Sequence, residues 1–167
     1  MLKIFVTLFA GVFWASVAAA QTPEPSTLSP IEHMDAELVV TGADGSETSY
    51  SPAELETLPT YRLRTTTPWR EEPADFDGVL LTDLLERHGL LELESIEVLA
   101  ENDFRTVIPR AVWDSVPVLL ATRVNGAALT RRERGPILFV IGAEDFARNP
   151  VVSESHLVWM AARIAPE

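Results

Sequence analysis

The side chains best suited to chemistry in this 167-residue chain are its arginines. Arg131, Arg132 and Arg134 crowd together beside Gly135. Planar guanidinium forks so spaced can hold a phosphate, sulfonate or carboxylate through charge-assisted hydrogen bonds. Glu133 sits among them, and the same stretch also reads as a solvated loop balancing an acidic surface. Arg62, Arg64 and Arg105 are weaker members of the set, of interest if Arg64 and Arg105 converge beside Thr65 as a basic floor. Thr65, Thr66 and Thr67 offer hydroxyl donors and acceptors to a ligand, although three β-branched residues in a row equally suit a strand. Trp69 reads as a pocket wall or a core aromatic, and Asn102-Asp103 as a pocket rim or a plain turn.

Several other chemistries are ruled out or unsupported. The chain has no cysteine, which removes disulfide exchange, zinc-thiolate sites and thiol nucleophiles. His33, His88 and His156 are far apart and lack metal-ligand spacing, and no nucleophile motif or Gly-rich phosphate loop is present. With 13 basic and 25 acidic residues the formal net charge is −12, which opposes binding to nucleic acid or an anionic membrane. A local arginine pocket for one small anion remains compatible with that balance.

The elements that must carry these residues begin after an export signal. Lys3, an apolar run over 4–14 and Ala18-Ala19-Ala20 before Gln21 follow the basic, apolar, small-residue order of a secretory signal. Cleavage is expected after Ala20, giving a periplasmic or secreted product. The run is short beside the ~20 residues of a membrane span, and no cysteine follows to accept a lipid. Losing Lys3 takes the charge from −12 to −13 and leaves 147 residues whose basic side chains are all arginine. That length fits one ordinary domain.

Residues 21–36, with Pro23, Pro25 and Pro30, read as a flexible leader, and 37–167 as the domain. Residues 38–41 and 47–50 around Asp44-Gly45 predict a hairpin. Ser51-Pro52-Ala53-Glu54 predicts a capping box that opens a short helix. Residues 61–67 alternate as a strand ending at Pro68-Trp69, followed by an acid- and proline-rich loop. Leu81, Leu84, Leu85 and His88 share a helical face that stops at Gly89. Strand-like stretches follow at 95–100, 104–108, 118–124 and 137–141, with a helical turn at 109–114, an Asn125-Gly126 turn, and an ambiguous last element at 157–164. Short helices interspersed among more numerous strands predict an α+β domain with a mixed, mostly antiparallel sheet.

Arg64-Thr65-Thr66-Thr67-Pro68-Trp69, then residues 76–85 (FDGVLLTDLL), resemble the sulfite-oxidase-type molybdopterin-binding domains. The resemblance continues through 101–104 (ENDF), Val124-Asn125-Gly126, Arg134-Gly135-Pro136 and Trp159 with Arg163-Ile164, and covers nearly all of 37–164. It implies that fold and a molybdenum-molybdopterin pocket drawn from Arg64, Thr65, Thr66, Thr67, Trp69, Asn102, Asp103, Arg105, Arg132 and Arg134. It also implies a cysteine thiolate as the metal's protein ligand, four residues before the tryptophan. Thr65 stands there, and a hard hydroxyl is a poor substitute for a soft thiolate. After Gly135-Pro136 the family commonly presents an arginine or another polar group, whereas this chain has Ile137-Leu138-Phe139-Val140. Two readings follow: an oxidoreductase-family protein with a degenerate metal site, or a cofactor-free module that binds a small anion in the same pocket, with a membrane-protein partner conceivable.

Overall fold

The computed structural model describes residues 21–167, so the expected signal at 1–20 lies outside the described residues. In chain order the described elements are β1 (Glu24–Ser26), β2 (Leu38–Thr41), β3 (Glu47–Tyr50), α1 (Pro52–Leu55), β4 (Thr60–Thr67), β5 (Arg70–Leu80), α2 (Leu81–Arg87), β6 (Ser95–Ala100) and β7 (Arg105–Pro109). They continue with α3 (Arg110–Trp113), β8 (Val118–Val124), β9 (Ala127–Ala128), β10 (Leu138–Ile141), α4 (Ala143–Arg148) and β11 (Ala161–Pro166). Tight 3-10 turns lie at Arg131–Glu133 and Glu154–His156. Among the described residues no helix is long and apolar enough to cross a membrane.

The strands form two sheets. The first runs β1-β4-β5-β8-β10, with β9 also on β8, and the second runs β3-β2-β11-β6-β7. Only the β11–β2 pairing is parallel among the described strands, so the mixed, mostly antiparallel α+β class expected from sequence is the one observed. Successive side chains on a strand point to opposite faces, and β8 uses both. Val118 and Leu120 join Leu38, Val40, Ile96, Val98, Phe139 and Ile164 in the main core, while Leu119 and Ala121 join Leu63, Phe76, Leu138 and Val140 in a second cluster. Every residue of β8 is buried, which is why its first four residues, Val118 to Ala121, form an apolar run rather than an alternation.

Local chemistry explains the elements that the sequence foretold. The Ser51 hydroxyl accepts from the Glu54 N–H, and the Glu54 carboxylate accepts from the Ser51 N–H at 2.7 Å, a complete capping box opening α1. Asn125 and Gly126, at φ 50° and 80°, form the tight turn between β8 and β9. Leu81, Leu84 and Leu85 are the buried face of α2.

Three expectations need correction. Residues 70–75 are not a loop but the start of β5, which pairs with β4 through Thr67↔Arg70 and Thr65↔Ala74. Glu71, Glu72 and Pro73 fall where that register shifts, so their side chains stay exposed and the proline breaks no required ladder bond. Residues 157–164 are not one element: Trp159 makes an isolated bridge to Leu138, and strand structure begins only at Ala161. The segment 21–36 is not a free leader. Its β1 pairs with β4, with Pro25 opposite Tyr61, and its far end is held by charge.

That charge is Arg123. Its side chain is 5% exposed and its Nε donates to Glu56 Oε1 at 2.8 Å, while a second guanidinium nitrogen donates to the Ser29 carbonyl at 2.8 Å. Thr122 donates to the same carboxylate at 2.6 Å, and His33 Nε2 lies 3.2 Å from it. Burial pushes the Glu56 carboxyl up, but the bonds from Arg123 and Thr122, with His33 beside them, outweigh it and hold the group below its ordinary range. A leader without apolar periodicity is thus fixed by strand pairing and a buried ion pair, neither of which is a local sequence property.

Candidate functional site

The arginine-rich stretch after β9 is a tight turn. Glu133 caps it: its carboxylate accepts from the Thr130 N–H at 3.2 Å and the Thr130 hydroxyl at 2.9 Å. That carboxylate is therefore engaged with the turn itself. Arg134 follows with φ 69°, a left-handed backbone uncommon for a residue with a side chain. It is held there by its N–H to the Arg131 carbonyl, 3.2 Å, and by the Met160 N–H to its own carbonyl, 3.0 Å. The chain can then pass Leu129 only as glycine, since a Cβ on Gly135 would lie 2.4 Å from Leu129 Cβ and 2.9 Å from its backbone.

This geometry places the Arg134 guanidinium between two indoles, 4.6 Å from the Trp69 ring centroid and 4.0 Å from that of Trp159. Both separations are within cation–π range. Trp69 and Arg134 open onto a cleft of about 270 Å³ shared with Arg70, Arg132 and Glu133 and backed by Phe76, Val124 and Leu129.

The charge of this cleft sets it apart. Arg62, Arg64, Arg105, Arg110, Arg123, Arg131, Arg148 and Arg163 each form an ion pair with a carboxylate of the chain. Among the described residues Arg70, Arg87, Arg132 and Arg134 do not, and three of these four line the one cleft. Aromatic faces stabilise the Arg134 cation and fix its direction without neutralising it, leaving its charge and donors for a ligand.

The remaining sequence-derived candidates scatter. Arg131 is drawn off to Glu101 by bonds of 2.8 and 3.0 Å. Arg64 and Arg105 do not converge: Arg64 lies in the first sheet, bonded to Asp75 at 2.8 Å, and Arg105 in the second, bonded to Glu97 at 2.8 Å. An acid on a neighbouring strand takes up each one. Arg62 is likewise bound to the fully buried Asp77. Asn102 and Asp103 form the turn between β6 and β7. Asn102 Oδ1 accepts from the Phe104 N–H at 3.2 Å, and Asp103 has φ 64°.

Thr65 is fully buried. Its Oγ1 donates to Gln21 Oε1 at 2.9 Å, with the Thr66 carbonyl 3.1 Å away, and accepts from the Ala143 N–H at 2.9 Å. The same N–H is shared with Gln21 Oε1 at 3.1 Å. Thr66 and Thr67, with Pro68, border a different and mainly apolar pocket of about 300 Å³ against Ile141, Ala143, Phe146 and Leu157. The threonines and the arginines therefore do not share one cavity lining.

These donors do not fit a molybdenum pterin held through position 65. Its oxygen is a hard donor already engaged with a backbone N–H and the Gln21 amide. Sequence reasoning missed Arg70, whose signal was its place beside Trp69 within an acidic stretch. It also missed the pairing of Trp159 with Arg134, which is 25 residues distant in sequence and carries no local signal.

No family model matches the chain, and no curated protein matches it. Among solved structures it is similar to a chain of the sulfane dehydrogenase SoxCD from Paracoccus pantotrophus, with a TM-score of 0.59 and 17% identity over 92% of this chain. The likeness is one of fold. The shared fold agrees with the mixed α+β class described above, and the chain spans about half (49%) of that neighbour's length.

Proposed function

We propose that this is an exported, cofactor-free protein that binds a small anion in the cleft of Arg70, Arg132 and Arg134, on an oxidoreductase-type fold whose redox position is closed. The observation that carries this reading is the arginine distribution: three of the four described arginines without a carboxylate partner meet in one cleft. In a chain of net charge −12, unneutralised guanidinium groups gathered in a concave site favour an anionic ligand with oxygens to accept their N–H groups. Arg134, fixed between Trp69 and Trp159, positions the ligand, and Arg70 and Arg132 on the same cleft supply further donors.

The test is thermal stabilisation by a panel of sulfate, phosphate, sulfite, alkanesulfonates and small carboxylates. A true ligand stabilises with the logarithm of its concentration above its Kd, by about 2.7 kcal/mol at one hundred times its Kd. Arg134→Ala should weaken that ligand at least about tenfold, as expected for loss of a charge-assisted contact, whereas Arg64→Ala should leave it unchanged. A panel in which no anion stabilises with this concentration dependence, or an Arg134→Ala variant that binds like the parent, overturns the reading. Protein from a molybdate-replete host should carry far less than one molybdenum per chain. A stoichiometric metal with pterin fluorescence would restore the oxidoreductase reading.

A further inference from the structure

We propose that Gln21 is a modification site, cyclising to pyroglutamate once cleavage after Ala20 makes it the first residue, with Thr65 and Ala143 holding the carbonyl that reacts. The inference rests on the export reading for its free α-amine and on the structure for its seat.

That seat is built around Gln21. The Thr65 hydroxyl donates to Gln21 Oε1 at 2.9 Å, and the Ala143 N–H is shared between that oxygen, at 3.1 Å, and Thr65 Oγ1, at 2.9 Å, with Thr65 fully buried. A Cβ on Gly142 would stand 3.3 Å from Gln21 Cβ and 3.4 Å from its carbonyl oxygen, so the bare backbone of Gly142 makes room for this residue. Two donors on one amide oxygen are the arrangement that stabilises charge developing there.

In the reaction the α-amine nitrogen attacks Cδ of the Gln21 side chain. The electron pair of the carbonyl shifts to Oε1, between its two donors, and returns as the Cδ–Nε2 bond breaks. The proton lost from the α-nitrogen leaves with Nε2 as ammonia, so a lactam and ammonia are the only products and no oxidant or co-reactant is needed. The lactam carbonyl can keep both hydrogen bonds.

Mass spectrometry of the protein exported by a bacterial host is the first measurement. The expected N-terminal peptide begins at residue 21 and is one ammonia lighter than its sequence. A chain beginning elsewhere overturns both the export reading and this one, while a free amine on Gln21 overturns this one alone. The second measurement separates the fold's contribution from the intrinsic tendency of N-terminal glutamine to cyclise. Gln21 is exposed by proteolysis of a fusion, and ammonia loss is followed in native buffer and in urea. The native protein should react several-fold faster than the unfolded chain. Thr65→Val should slow the native reaction by about tenfold or more, given that one oxyanion donor is worth about 10²-fold in enzymes, and Thr65→Ser should restore it. Equal native and urea rates, or an unslowed Thr65→Val, would overturn the role of the seat. Anion binding at Arg134 should not change in any of these variants.

Discussion

Arg123 and Arg134 are both withdrawn from full solvent exposure, yet the fold treats them in opposite ways. Arg123 is 5% exposed on its side chain and donates to the carboxylate of Glu56 and the Ser29 carbonyl, while the Thr122 hydroxyl donates to the same carboxylate. Arg134 is half-buried between two indoles and meets no carboxylate among the described residues. The first cation is fully used in pairing Glu56 and in tying Ser29 of segment 21–36 to β8. The second is oriented but not neutralised. In an acidic chain with carboxylates to spare, a cation left without one is the informative feature, because the composition makes pairing easy.

Arg123→Ala is the largest test of this contrast. It leaves Glu56 buried without its cation, for which the expected loss is about 3–5 kcal/mol of stability, read as a shift in the urea midpoint. Glu56→Gln should also be costly, since it leaves the guanidinium of Arg123 buried without its counter-ion. Neither variant should alter anion affinity at the arginine cleft. If Arg123→Ala costs under about 1 kcal/mol, the clamp behaves like an exposed pair and the division between structural and ligand-binding arginines loses its stronger half.

Acidification probes the same division more gently. Burial lowers the pKa of His156 below its ordinary 6.5, and burial together with the charge of Arg87 does the same for His88. Folding therefore favours the neutral rings, and the stability this provides is present above 6.5 and lost as pH falls toward their folded values. Glu56 is depressed below its ordinary 4.5, so its contribution is complete above 4.5 and disappears as pH falls through the folded value. Urea midpoints should accordingly decline in two steps. His156→Gln should shrink the upper step, leaving the share of His88, and Arg123→Ala should diminish the lower one. Affinity for sulfate should stay flat between about pH 8 and pH 6, because guanidinium groups do not titrate there. A parallel decline in affinity would mean that the cleft depends on a titrating partner.

How far each region was legible follows from how local its causes are. The hairpin at Asp44-Gly45, the capping box at Ser51 and the turn at Asn125-Gly126 are set by neighbours in sequence, and they stand where the residues place them. The start of β5 was hidden because Glu71, Glu72 and Pro73 belong to an irregular, exposed part of the β4–β5 ladder. Segment 21–36 was hidden because Pro25 opposite Tyr61 and Ser29 beneath Arg123 are contacts across the chain. Within the site, Trp69, Arg132 and Arg134 were named and do line one cleft. Arg64 and Arg105 were misgrouped because a list of arginines does not show which of them have an acid on the adjoining strand.

Arg64 and Arg105 have side chains 66% and 60% exposed, and each pairs with a partly exposed carboxylate. Solvent screens such pairs and long side chains lose entropy in forming them, so each contributes about 0–1 kcal/mol. Arg105→Ala and Arg64→Ala should therefore shift the urea midpoint barely, and less again at high salt. The informative measurement is the anion titration of the same two proteins. Unchanged affinity in both, alongside a weakened Arg134→Ala, would show that possession of a carboxylate partner sorts these arginines better than position in sequence does. If Arg105→Ala instead weakened binding tenfold, the ligand would have to reach the second sheet, and the cleft bounded by Trp69 and Arg134 would be only part of its site.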